Sequence, residues 1–142
     1  VSAHALNLDK VEGIVFDVGV FTNFSQDHLD YFKNMSSYKE AKLKLFKPSL
    51  IKCAVLNYDD GLGLEIGRKI EVPFVSYGIY SPSDIFAVDV NKKNIASEYV
   101  VNICDNVFEV KSNLLGEFNV YNSLAAAGAA SALGIDIKYI RR

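Results

Sequence analysis

CAVLNYDDGLGLEIGRKIEVPFVSY, residues Cys53–Tyr77, decides the fold. It opens on a short apolar, β-branched run, Cys53-Ala-Val-Leu-Asn57, turns at Asp59-Asp60-Gly61 and continues as a helix over Leu62–Ile70. After Pro73 it resumes as a strand, Phe74-Val-Ser-Tyr77. Strand, helix and strand at this spacing predict two parallel strands joined by a right-handed crossover. Upstream, Gly13–Phe21 (GIVFDVGVF) reads as another buried strand, followed by a polar loop over Thr22–Met35. Ser37 and Glu40 form an S-x-x-E capping box that opens a helix through Phe46, and Pro48 ends it. Downstream, Asp84–Val90, Ser97–Ile103 and Asn106–Lys111 are short, partly alternating runs. With Asn91–Asn94 and Cys104-Asp105 as turns, they predict an antiparallel meander. An Ala-rich helix over Asn119–Leu133 closes the pattern, with Gly134 as its C-terminal cap. The fold class is α/β: a mostly parallel sheet with flanking helices plus a small antiparallel meander.

Composition narrows the functional classes. A length of 142 residues, 50% hydrophobic and 23% charged, is that of one folded domain. Fifteen basic against seventeen acidic residues leave a net charge of −2, with no excess to follow a nucleic-acid backbone. No apolar run approaches the ~20 residues of a membrane span, and no signal peptide is expected. Cys53 and Cys104 show no metal-ligand spacing. This profile is that of a cytoplasmic α/β domain. The start at Val1 and the close on Ile140-Arg141-Arg142 suggest a piece of a longer protein.

Four places invite chemistry. Lys42 falls inside the apolar arc of its helix, between Leu45 and Phe46 on a 100° wheel. A lysine there either snorkels along the edge of the core or is neutralised, paired with an anion or chemically changed. Asp27-His28-Leu29-Asp30 follows a buried strand, where open α/β sheets bind ligands. Two carboxylates around an imidazole suit a divalent cation or a local hydrogen-bond network. Gly61-x-Gly63-x-x-x-Gly67 has one residue too many for the dinucleotide fingerprint and reads as a tight strand-to-helix turn. Asn119 and Asn122 stand one turn apart at a helix start; either can cap it, and a free amide can read a purine edge. Walker, nucleophile-elbow and H-E-x-x-H motifs are absent, and His4 and His28 are the only histidines.

Several segments together resemble the central domain of the Mur ligase family, on the branch that adds the third residue of the peptidoglycan stem peptide. The resemblance is carried by Val1-Ser-Ala-His-Ala-Leu6, Phe21-Thr-Asn-Phe-Ser-Gln-Asp-His-Leu-Asp-Tyr31, Tyr38-Lys-Glu-Ala-Lys42, Val55-Leu-Asn-Tyr-Asp-Asp60, Tyr77-Gly78 and Gly116-Glu-Phe-Asn-Val-Tyr-Asn122. It implies that residues 1–142 are part of the ATP-binding central domain of an ATP-dependent amide ligase, with the phosphate-binding loop upstream and a C-terminal domain downstream. In this family ATP converts a carboxylate to an acyl phosphate, which an amine then attacks. By resemblance His28 is a Mg²⁺ ligand, and Lys42 carries a CO₂-derived carbamate that faces the metal and turns a buried cation into an anion. Asn122, with Asn119 beside it, and Tyr77 fall near the adenine nucleotide. Ser2 and Lys10 fall where the UDP-N-acetylmuramoyl-dipeptide is held.

The expected partners are that dipeptide and an amino acid, diaminopimelate or lysine, in the bacterial cytoplasm, with no nucleic acid or membrane. This chain departs from the family in having Ala3 within Ser2-Ala-His4, Lys10 for a frequent Arg, and Phe32-Lys33 for His-Gly. A lysine cannot reproduce a bidentate guanidinium clamp. The alternatives are a non-catalytic descendant that binds nucleotide or UDP-sugar, and an unrelated α/β binding domain. The chain alone is expected to be inactive and to expose a sheet edge able to pair with another copy.

Overall fold

A computed structural model describes residues 1–25, 34–92 and 97–141. The strands are β1 (Phe16–Phe21), β2 (Ile51–Asn57), β3 (Phe74–Gly78), β4 (Ile85–Lys92), β5 (Ser97–Ile103) and β6 (Asn106–Ser112). The helices are α1 (Ala3–Asn7), α2 (Met35–Leu43), α3 (Gly61–Lys69), α4 (Glu117–Ala132) and α5 (Ile137–Ile140). All six strands form one sheet in chain order, parallel from β1 to β4 and antiparallel from β4 to β6. The meander is therefore a continuation of the parallel sheet.

Alternation along β2 explains the layering. Val55 points to one face with Tyr77, Ile85 and Val101, where α4 lays Val120, Leu124 and Ala125 on the sheet. Ala54 and Leu56 point to the other, beneath Leu62 and Ile66 of α3 and Phe46. A smaller cluster, Ala3, Tyr38 and Ala41, joins α1 to α2.

The structure corrects several boundaries. β1 begins at Phe16 rather than Gly13, and Ile14 and Val15 are exposed. α2 starts at Met35, because Asn34 and not Ser37 is its N-cap: the Asn34 side chain accepts from the Ser37 N–H at 2.9 Å. Glu40 instead accepts from the Ser36 hydroxyl. α2 ends at Leu43 and tightens into a 3₁₀ turn over Lys44–Phe46, short of the single helix expected. α4 starts two residues earlier than read, with Gly116 as N-cap, so neither Asn119 nor Asn122 caps it.

Other turns follow the reading. Gly134 has φ +73, and the N–H groups of Gly134 and Ile135 close on Ser131 and Ala130, a Schellman ending. Cys104 and Asp105 both have positive φ and join β5 to β6 as a two-residue hairpin. Such a turn favours Asn-Gly. The double change Cys104→Asn/Asp105→Gly is expected to raise stability by about 0.5–1 kcal/mol in urea unfolding.

Candidate functional site

The carboxyl ends of β1, β2 and β3 open into a cleft of about 380 Å³. Thr22 and Asn23 line it after β1, Asn57, Asp59 and Asp60 after β2, and Phe118, Tyr121 and Asn122 from α4. A larger hollow of about 450 Å³ lies between α4 and β5–β6, around Tyr99, Phe108 and Leu124, and none of the residues singled out from the sequence line it. The smaller cleft is the better candidate, because ligands of parallel sheets bind beyond the strand ends, among polar groups.

Hydrogen bonds from three strand ends build its floor. Asn57, buried, donates to Thr22 O at 2.8 Å and accepts from the Asp59 N–H. Tyr77 is fully buried and donates its hydroxyl to Phe21 O at 3.1 Å. Burial, and then the Asp60 charge, push that hydroxyl well above the usual tyrosine range. Tyr77 thus supports the cleft from below, with its polar atom already spent. Asp60 caps α3 through Leu62 N–H at 2.8 Å and takes Phe24 N–H at 2.7 Å. Both of its oxygens hold backbone.

Asp59 is the hub. It accepts from the N–H groups of Ile79 at 2.6 Å and Ser81 at 2.6 Å, from Tyr80 N–H at 3.1 Å, and from the Tyr121 hydroxyl at 2.8 Å. Burial pushes the Asp59 carboxyl up, but these donors outweigh it and hold it below the ordinary carboxylate value. A depressed folded-state pKa stabilises the protein above the unfolded value, and this is lost as pH falls through the folded one. Asp59→Asn is therefore expected to cost about 1–2 kcal/mol near pH 7, with partial exposure discounted. It should also flatten the acid limb below about pH 4, measured by urea unfolding across pH.

Lys42 is half-buried at the edge of this cleft. Its Nζ donates to Asn23 O at 2.9 Å and sits 5.0 Å from the Tyr38 ring centre and 5.9 Å from that of Phe24. Its neighbours in sequence find carboxylates: Lys39 pairs with Glu65, and Lys44 with Asp9 at 3.0 Å. Among the described residues Lys42 instead meets a carbonyl and two ring faces. The unmodified side chain thus snorkels between aromatic rings towards Asn23.

Asn122 is exposed, and its amide lies 3.4 Å from Asn119 Oδ1, while Asn119 reaches back to Leu115 O at 2.8 Å. Phe118, 66% exposed, stands beside them. Ser2 caps α1 by accepting from Ala5 N–H at 3.1 Å, and Lys10 is exposed on the following turn. Asp27, His28, Asp30, Phe32 and Lys33 lie outside the described residues. Phe118, Tyr121 and the hub role of Asp59 were not read from the sequence; an Asp-Asp pair straight after a buried strand was the available signal.

Comparisons with known proteins give the family. Residues 1–130 match the model of the Mur ligase middle domain. The chain belongs to the Mur ligase family. A UDP-N-acetylmuramoyl-L-alanyl-D-glutamate–2,6-diaminopimelate ligase of Clostridium tetani is 39% identical over 142 residues, 100% of this chain and 29% of the relative. The ligase of that name from Geobacter metallireducens is 42% identical over 155 residues, covering 99% of this chain and 29% of its own length. Thus the chain spans under a third of these curated relatives. A solved structure of a ligase with the same name superposes with a TM-score of 0.89 at 28% identity, covering 99% of this chain and 30% of that one. A pseudomurein peptide ligase type C from Methanothermus fervidus gives 0.79 at 27% identity, covering 99% and 36%.

Among the described residues no group of three or more His, Cys, Asp or Glu is arranged to hold a metal, and no helix is long and apolar enough to cross a membrane.

Proposed function

We propose that the Mur ligase containing this chain is an ATP-dependent amide ligase of bacterial peptidoglycan synthesis, acting in the cytoplasm. It joins diaminopimelate to UDP-N-acetylmuramoyl-L-Ala-D-Glu through an acyl phosphate. The observation that carries this reading is the polar cleft at the ends of β1–β3, with Lys42 bonded to Asn23 on its lining and Asn122 exposed on α4. The names of the relatives favour diaminopimelate over lysine.

This chemistry requires two groups, an adenine nucleotide and a divalent cation. An adenine needs a donor and an acceptor together, and the Asn122 amide offers both beside the exposed Phe118 ring. A hard divalent cation needs oxygen ligands and negative charge. Both carboxylates of the described cleft, Asp59 and Asp60, already hold backbone N–H groups. Lys42, bonded to Asn23 on the lining of the cleft, is the proposed site of a carbamate that would bring further negative charge there, with His28 as a proposed nitrogen ligand. A carbamate keeps one N–H, enough for the Asn23 carbonyl, and adds two acceptor oxygens. Mg²⁺, when bound, would neutralise the phosphates of ATP. Ser2 and Lys10 are the proposed contacts to the UDP-muramoyl-dipeptide.

Among the described strands β1 is unpaired on one side, and this edge is a proposed site for pairing with a second copy.

Mass spectrometry of the product tests the reading, using the complete protein, Mg-ATP, the UDP-muramoyl-dipeptide and a panel of amino acids. The expected product is the diaminopimelate tripeptide. A lysine product would move the specificity; nucleotide binding without product would favour the non-catalytic descendant.

A further inference from the structure

We propose that Tyr121 and Asp59 are positioning residues for adenine recognition, locking the opening turns of α4 to the loop after β3; this rests on the ligase reading above. Two directional ties join that loop to the helix. Tyr121 donates to Asp59 at 2.8 Å, and Asp59 gathers the N–H groups of residues 79–81. Tyr80, in the same loop, donates its hydroxyl to Glu117 Oε2 at 2.7 Å. Glu117 and Tyr121 are one helical turn apart, so the two ties hold α4 at successive turns.

What they hold is the recognition face. Phe118, Tyr121 and Asn122 lie within one arc of the helix and all line the cleft. Against the sheet, α4 rests on Val120, Leu124 and Ala125, and the two polar ties add directional bonds at its exposed side to that apolar packing. With an amide about 6 Å from the axis, a roll of about 10° moves it by about 1 Å, enough to spoil a donor–acceptor pair. Burial, and then the bond to Asp59, hold the Tyr121 hydroxyl protonated far above the ordinary tyrosine range, so the tie persists throughout neutral pH.

The test uses the complete ligase carrying Tyr121→Phe, which keeps the ring and removes only the hydroxyl, with Asp59→Asn as a second variant. For Tyr121→Phe, KM for ATP should rise about 5- to 10-fold, while kcat and KM for the UDP-muramoyl-dipeptide stay within about twofold. The preference for ATP over GTP should fall by a similar factor. Asp59→Asn should show the same split, enlarged. A lower thermal midpoint with unchanged KM for ATP and unchanged nucleotide preference is what a purely structural bond gives, and it would overturn the proposal. So would an equal rise in KM for every substrate. A wild-type ligase that neither binds nor consumes ATP would bring down the ligase reading itself, a result distinct from a wild type that works beside an unaltered Tyr121→Phe.

Discussion

In the complete ligase, Lys42→Ala is expected to lower kcat about 100- to 1,000-fold, the scale of removing one group that stabilises transition-state charge. Added formate or acetate should restore part of it, by returning a carboxylate to the space the side chain leaves. The structure supplies the competing explanation and its size. Unmodified Lys42 sets its ammonium over the Tyr38 and Phe24 rings and donates to Asn23 O. Losing those contacts alone should cost about 1 kcal/mol of stability. A packing defect of that size lowers the thermal midpoint by a few degrees and is indifferent to carboxylate. Steady-state kinetics with and without acetate, beside a thermal melt, separates the two accounts.

Gly63→Ala is expected to destabilise the protein by about 3–4 kcal/mol, above the common range for overpacking. A Cβ at Gly63 would lie 1.9 Å from the Asn57 carbonyl oxygen and 3.3 Å from the Phe21 ring. The oxygen belongs to backbone at the end of β2, so relief requires moving α3 or the strand end, and either disturbs the cleft. Gly61, two residues earlier, has nothing within 4 Å of the same atom. Gly61→Ala should therefore be neutral or stabilising by up to about 1 kcal/mol, through helix propensity. Urea unfolding of the pair reads the contrast. It also explains the G-x-G pattern, whose second glycine lets α3 approach β2 closely and whose role is packing.

The β2–α3–β3 unit was legible because its signals are local: an apolar β-branched run, an Asp N-cap and a proline before the next strand. The Gly134 ending and the Cys104-Asp105 hairpin were legible for the same reason. Asp59 was not, since its partners lie 20 to 22 and 62 residues away, and only the folded loops bring them together. α1 was missed because it is only five residues long and depends on packing Ala3 against Tyr38 and Ala41. At 100° per residue the apolar arc around Lys42 runs through Phe46, whereas the chain tightens to 3₁₀ geometry after Leu43. The arc was imperfect, yet Lys42 does lie at the core's edge, beside the cleft. The short parallel pairing of β3 with β4, Tyr77 opposite Ile85, had no sequence signal: only residues 79–84 separate the strands, far fewer than a usual crossover.

The most direct test of the central claim is phosphate release from Mg-ATP by the complete protein, with each substrate omitted in turn. The account predicts release only when the UDP-muramoyl-dipeptide and diaminopimelate are both present. Release that ignores either substrate, or none with all three present, would contradict it.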